Sequence, residues 1–146
     1  MKKFELTTDT KMLLGRKLFR IKALISFGNV RAGDMGGYIE KKGNLSQSGN
    51  AWVSGNAWVY GDARVSGDAE VSGNADYATA SGFGSEYRTT TFFKLKDSNE
   101  IGVRCGCFYG TLKEFRAKVK ETHGETKKAK EYLMIADLME YRFSEE

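Results

Sequence analysis

One histidine, two cysteines and a short row of carboxylates are the side chains in this 146-residue chain whose type and spacing invite chemistry. Cys105 and Cys107 stand one residue apart. On one strand both would leave the same face, and a disulfide across that spacing is strained. Two reduced, partly buried thiols are expected instead. A zinc site needs further ligands, and His123 is the only histidine, so no metal is expected. His123 precedes Gly124 at what reads as a helix end, where an imidazole commonly meets the last carbonyls. That role is expected ahead of a catalytic base. Asp62 and Asp68 take positions that asparagine fills elsewhere in a repeat, which points to backbone geometry. Glu70 and Asp76 are expected to face solvent, too exposed for strong tuning of a carboxyl group. The serines nearby have no base to activate them. There is no phosphate loop and no dinucleotide fingerprint. A non-enzymatic protein without a cofactor is expected.

The elements that must position these residues are dominated by a six-residue repeat. From Val53 the chain reads Val-Ser-Gly-Asn-Ala-Trp, Val-Tyr-Gly-Asp-Ala-Arg, Val-Ser-Gly-Asp-Ala-Glu and Val-Ser-Gly-Asn-Ala-Asp, ending at Asp76. Gln47 to Trp52 keeps the last four positions, and glycine recurs from Gly37 to Gly73 at every sixth residue. A valine every six residues, with alanine two residues before it, gives each short strand one branched and one small inward side chain. Gly followed by Asn or Asp supplies the corner, because these residues tolerate positive φ. Three such strands make a triangular coil, and coils stack at about 4.8 Å. A flexible linker would not hold valine and alanine in register over four hexads.

The repeat resembles the hexapeptide-repeat family of left-handed parallel β-helices, which includes trimeric acyltransferases and non-enzymatic prophage and bacterial proteins. The stretch from Phe27 to Glu40, followed by Asn44-Leu45-Ser46, resembles the lead-in of the prophage members. The resemblance implies a mixed β+α fold: a short left-handed parallel β-helix, then a β-hairpin and two C-terminal helices. The family's acyltransferases carry a catalytic histidine on a coil. No histidine lies in or near this repeat, so an acyltransferase would need an unusual base.

The flanks complete that expectation. Residues 1–36 are expected to supply strands that cap the β-helix, with Leu18 to Leu24 alternating as a strand punctuated by Gly15 and Gly28. The β-helix is expected over 37–82. Residues 88–146 read as a β-β-α-α module: a strand over 91–96, a turn at 97–100, a return strand over 101–108, then two helices. Thr111 and Glu114 form a capping box, Gly124 closes the first helix, and the second runs from about Thr126 to Phe143. Cys105-Gly106-Cys107-Phe108 with the following Gly-Thr-Leu and Thr-His-Gly resembles a module of uncharacterised phage proteins.

Two surfaces follow from this layout. Residues flanking each valine should point outward, which exposes Trp52, Trp58 and Tyr60 beside Arg64. Exposed aromatics of that size need a cover: the C-terminal helices, another copy of the chain as a dimer or trimer, or a foreign partner. The second surface is basic: Lys94, Lys96 and Arg104 on the hairpin, Lys113, Arg116, Lys118 and Lys120 on the first helix, and Lys127, Lys128 and Lys130 opening the second. A solvated helix face and a nucleic-acid or nucleoprotein contact both fit that pattern.

Net charge is +4 and permits an acidic partner without demanding one. No apolar run could cross a membrane and no signal-peptide core follows Met1-Lys2-Lys3, so a cytoplasmic protein without membrane contact is expected. Seventeen glycines and no proline place the turns on glycine. By analogy with the resembling proteins, the expected function is a phage-encoded interaction protein that binds and inhibits a host defence factor, such as a CRISPR nucleoprotein, in the host cytoplasm. The alternatives are a nucleotide-binding sponge using Trp58, Tyr60 and Arg64, an atypical hexapeptide acyltransferase, and a virion structural component.

Overall fold

A computed structural model describes residues 2–73, 76–84, 88–96 and 99–144. Asn74 and Ala75 of the fourth hexad, and Asp97 and Ser98 of the expected turn, lie outside the described residues. The chain opens with an antiparallel hairpin of β1 (Phe4–Leu13) and β2 (Arg16–Ala23). Leu14 and Gly15 make its turn with φ of 49° and 81°. Two consecutive positive φ values match the twist of the flanking strands. β3 (Met35–Ile39) pairs antiparallel with β2. Its other edge pairs in parallel with β5 (Trp58–Val59), while β4 (Trp52–Val53) pairs in parallel with β6 (Glu70–Val71). A third sheet is antiparallel, in the order β10 (Phe108–Thr111), β9 (Ile101–Cys105), β8 (Arg88–Lys94), β7 (Tyr77–Phe83).

These sheets are open, and the repeat does not close into the expected left-handed β-helix. The valines and alanines do turn inward as their spacing requires: Val53, Val59, Val65 and Val71 are at most 1% exposed. The chain also returns beside itself in parallel, with Val53 opposite Val71 and Leu45 opposite Val65. But β4, β5 and β6 are two residues long, and each has one parallel neighbour. The sheet that holds β5 continues through β3 into the antiparallel β2 and β1, whereas β4 and β6 form a two-stranded sheet with no third member. Beyond β6 the next strand, β7, belongs to the antiparallel sheet. Four strict hexads bring the chain back on itself only once, so successive coils never accumulate into a closed prism. The likeness to hexapeptide-repeat β-helices therefore stops at the local sequence pattern. The corners belong to glycine alone: Gly49, Gly55, Gly61 and Gly67 have φ between 61° and 74°. Among the described residues Leu14 is the one residue other than glycine with positive φ, so Asp62 and Asp68 hold no left-handed backbone.

The C-terminal part has two more strands than a β-β-α-α unit. The expected return strand over 101–108 breaks at Gly106, whose φ is 58°, and Phe108 pairs back onto Cys105 as β10 begins. β7 adds the fourth strand. α1 (Leu112–His123) starts at the expected box: the Glu114 amide donates to Thr111 Oγ1 at 3.2 Å, and the Thr111 amide donates to Glu114 Oε1 at 2.9 Å. Gly124 ends it with φ of 60°. α2 (Lys127–Phe143) begins with Thr126 Oγ1 accepting from the Ala129 amide. Among the described residues no helix is long and apolar enough to cross a membrane.

Two hydrophobic clusters result. One joins Phe4, Ile21 and Ile39 of the first sheet to the valines and alanines of the repeat. The other packs Phe92, Val103 and Phe115 against Tyr132, Ala136 and Met139. They meet where the Arg64 amide donates to Thr91 Oγ1 at 2.9 Å and the Lys96 amide donates to the Asp68 carbonyl at 3.0 Å.

Candidate functional site

The N-terminal hairpin lies over the aromatic row that the repeat was expected to leave open. Trp52 is only 7% exposed and meets Phe27 edge-to-face, with ring centres 5.4 Å apart. The backbone comes close here because residue 36 is glycine. A Cβ at Gly36 would stand 2.6–2.7 Å from the Val53 carbonyl, Ile21 and the Trp52 ring. The expectation of an outward Trp52 is thus corrected: it belongs to the main core, covered by the lead-in to β3 and not by the C-terminal helices.

Trp58 and Tyr60 are half-buried, and cations from the hairpin stand over them. Lys11 Nζ lies 5.1 Å from the Trp58 ring centre and 5.2 Å from that of Tyr38. The Arg20 guanidinium is 4.6 Å from the Tyr38 ring, and its Nη2 donates to the Tyr38 hydroxyl at 2.8 Å. That bond raises the Arg20 pKa further, against desolvation and with help from Asp9. Arg16 sits 5.4 Å from the Tyr60 ring and pairs with Glu40 at 2.8 Å. The Gly61 amide donates to the same carboxylate at 2.8 Å and, ahead of Arg16, holds it below the usual carboxyl range. Arg64 does not join this row; its side chain is exposed. The four residues Trp52, Trp58, Tyr60 and Arg64 therefore do not form one open patch, and a nucleotide stacking on Trp58 and Tyr60 would have to displace Lys11 and Arg16.

The residues with chemical potential are dispersed. Cys105 and Cys107 are free; Cys107 is exposed in a turn, not on a strand, and Thr90 Oγ1 donates to Cys105 Sγ at 3.1 Å. His123 stacks on Tyr132 with ring centres 5.9 Å apart. Asp76 was expected to face solvent. Instead its Oδ2 accepts from the amides of Ser72 and Gly73 and from Ser72 Oγ, which fastens the turn. Asp62 pairs with Lys41 at 3.2 Å. Among the described residues no group of three His, Cys, Asp or Glu side chains could hold a metal ion.

A cleft of about 650 Å³ runs between the 28–30 loop and the repeat. Asn29, Asn50, Asp68, Glu70 and Lys96 line it, with an edge of Trp52. Neither histidine nor cysteine lines it, so its chemistry is that of hydrogen bonding and charge.

The basic residues divide by partner. Lys94 stands 3.8 Å from Asp76, and Arg104 Nε donates to the Gly106 carbonyl. Arg116 is the clamp between the helices: it pairs with Asp137 at 2.8 Å and Glu140 at 2.7 Å. The Glu140 bond, ahead of the Asp137 bond, raises its pKa. Lys118 reaches Glu121 at 3.5 Å. Lys113, Lys120, Lys127, Lys128 and Lys130 are exposed. Of these, Lys113, Lys120, Lys127 and Lys130 join no ion pair among the described residues. Lys120 and Lys130 flank a second cleft, of about 550 Å³, with Gly124, Glu125, Ala129 and Leu133. No family model and no curated protein matches the sequence.

Proposed function

We propose that this chain is a non-enzymatic binding protein that docks on an acidic protein surface through the turn between α1 and α2. One observation carries the reading: Lys120 and Lys130 are exposed on one cleft and Lys127 is exposed where α2 begins, all three with no ion pair among the described residues, while Arg116 nearby is fully engaged. The positive end of α2 adds to the same field. Against an enzyme stands the dispersal of the nucleophiles: Cys105 faces Thr90 and His123 faces Tyr132, so neither of these side chains is a base poised beside a nucleophile among the described residues. Inhibition of a host factor is one form such docking could take. Support for that narrower idea came from the resemblance to prophage β-helix proteins, which the architecture does not sustain.

The test is affinity capture from a bacterial lysate, with and without nuclease, using the wild type and the triple variant Lys120→Glu, Lys127→Glu, Lys130→Glu. The expected result is a stoichiometric acidic protein that survives nuclease, binds less tightly as salt rises, and is lost with the triple variant. A nuclease-sensitive complex would assign the surface to nucleic acid instead. A partner indifferent to the triple variant, or capture of nothing beyond the protein itself, overturns the reading.

A further inference from the structure

α2 is apolar on two opposite sides. Ala129, Tyr132, Ala136 and Met139 are buried against the sheet and α1. Met134, Leu138 and Tyr141 recur at helical spacing, roughly 180° around the helix from that row. They are 65%, 59% and 74% exposed. A helix with an apolar row on each side normally has both covered, and among the described residues nothing covers the second row.

We propose that a second copy of this chain covers it, with the two α2 helices packed antiparallel about a twofold axis near Leu138. The choice of occupant and direction comes from charge. Glu131 and Arg142 lie beside the row on the same flank, near its two ends. Neither is in an ion pair among the described residues. In the antiparallel arrangement Met134 meets Tyr141 of the other copy, Leu138 meets its own counterpart, and Glu131 of each copy comes beside Arg142 of the other. The row is therefore self-complementary, as a twofold contact requires. In a parallel pair the twofold axis would run along the helices and place the Glu131 and Arg142 flanks of the two copies on opposite sides of the contact, so these two pairs form only in the antiparallel arrangement. The basic turn at Lys120 and Lys127 is not needed for this contact, so the dimer and the docking surface stand or fall separately.

The test is sedimentation equilibrium of the full chain over a wide concentration range, with circular dichroism as a check that each variant keeps its helices. The wild type is expected to show a monomer–dimer equilibrium. Leu138→Glu should abolish it. Glu131→Arg and Arg142→Glu should each weaken it by about tenfold, because each sets like charges together at two symmetric places. The double variant with both changes should recover wild-type association. An equimolar mixture of the two single variants should form a heterodimer tighter than either homodimer. A wild type that stays monomeric throughout overturns the proposal, and so does a dimer indifferent to Leu138→Glu or to the charge swap. If the wild type is monomeric and Leu138→Glu abolishes capture of a foreign protein, the row belongs to that partner instead.

Discussion

The Lys3 ammonium donates to the Ala51 carbonyl at 2.7 Å from a side chain that is almost wholly buried. A second contact reaches the Gly49 carbonyl at 3.4 Å, and the Phe27 ring lies 4.8 Å from the nitrogen. Lys3 thus fastens the start of β1 to the repeat, with no carboxylate among the described residues pairing with it to offset the loss of water. Burial alone lowers its pKa from 10.5 to about 8.

That shift fixes a sign. Between pH 8 and 10.5 the unfolded chain holds a proton on Lys3 that the folded chain has released, so stability rises with pH across this window. The cost of the buried charge is fully present below pH 8. The rise should be on the order of 2 kcal/mol between pH 8 and 10. Above pH 10 Tyr77 opposes it: burial pushes its phenol up to about 12, so stability is lost as the unfolded tyrosine ionises. Urea titrations at pH 7.5, 9 and 10 should show the increase in the wild type and a flat profile in Lys3→Met. A wild type as flat as the variant would mean that the ammonium stays charged or hydrated.

The two tryptophans should separate cleanly by solvent access. In Trp58→Phe, the remaining Trp52 should resist iodide quenching, because Phe27 and Gly36 close over it. In Trp52→Phe, the half-buried Trp58 should be quenched, and Lys11→Ala should leave it more accessible still. Losing the Lys11 cation should cost about 0.5–1 kcal/mol. Trp52→Ala should cost about 3–5 kcal/mol, as for a large core side chain. Equal quenching of both tryptophans would return Trp52 to the surface.

The contrast between Trp52 and Thr111 shows what the sequence could convey. Thr111, Glu114, Gly124 and Thr126 act within a few residues of themselves, so their types and spacing fix both helix ends. Val53 to Val71 likewise turn inward by local period alone. Trp52 depends on Phe27 and Gly36, and Trp58 on Lys11, all distant in sequence. No local pattern announces such partners. The repeat's spacing sets corners and inward positions, but how often strands stack depends on how many hexads there are and on what pairs with their edges. β7 was hidden because Tyr77 to Phe83 alternates small and polar residues without a strong apolar face. The break at Gly106 was hidden because glycine can also sit inside a strand. Of the candidate surfaces, the basic turn was legible as a cluster of lysines, but the engagement of Arg116 needed Asp137 and Glu140 from the other helix.

Arg116 should behave as a structural cation and Lys120 as a free one. Arg116→Ala removes both ties between α1 and α2 and should cost about 1 kcal/mol, given that Asp137 and Glu140 are largely exposed. The loss should shrink in high salt. Lys120→Ala should change stability by less than about 0.5 kcal/mol. Thermal unfolding at low and high salt separates the two; equal effects would contradict the assignment.

The joint between the repeat and the C-terminal sheet can be tested at two glycines with nearly the same backbone. Gly61 and Gly67 have φ of 66° and 65°. A Cβ on Gly61 would meet nothing within 4 Å, whereas one on Gly67 would run into the Tyr109 hydroxyl and ring. Gly61→Ala should therefore cost only the left-handed backbone, about 1–2 kcal/mol. Gly67→Ala pays the same backbone term and must also move Tyr109, which stacks on Phe93 with ring centres 6.3 Å apart. Overpacking of that kind adds about 1–3 kcal/mol. Combining Gly67→Ala with Tyr109→Ala should remove the added part, giving a favourable coupling in a double-mutant cycle. Gly61→Ala with Tyr109→Ala should be additive. Equal costs at the two glycines, with no coupling at either, would mean that Tyr109 does not rest on this corner.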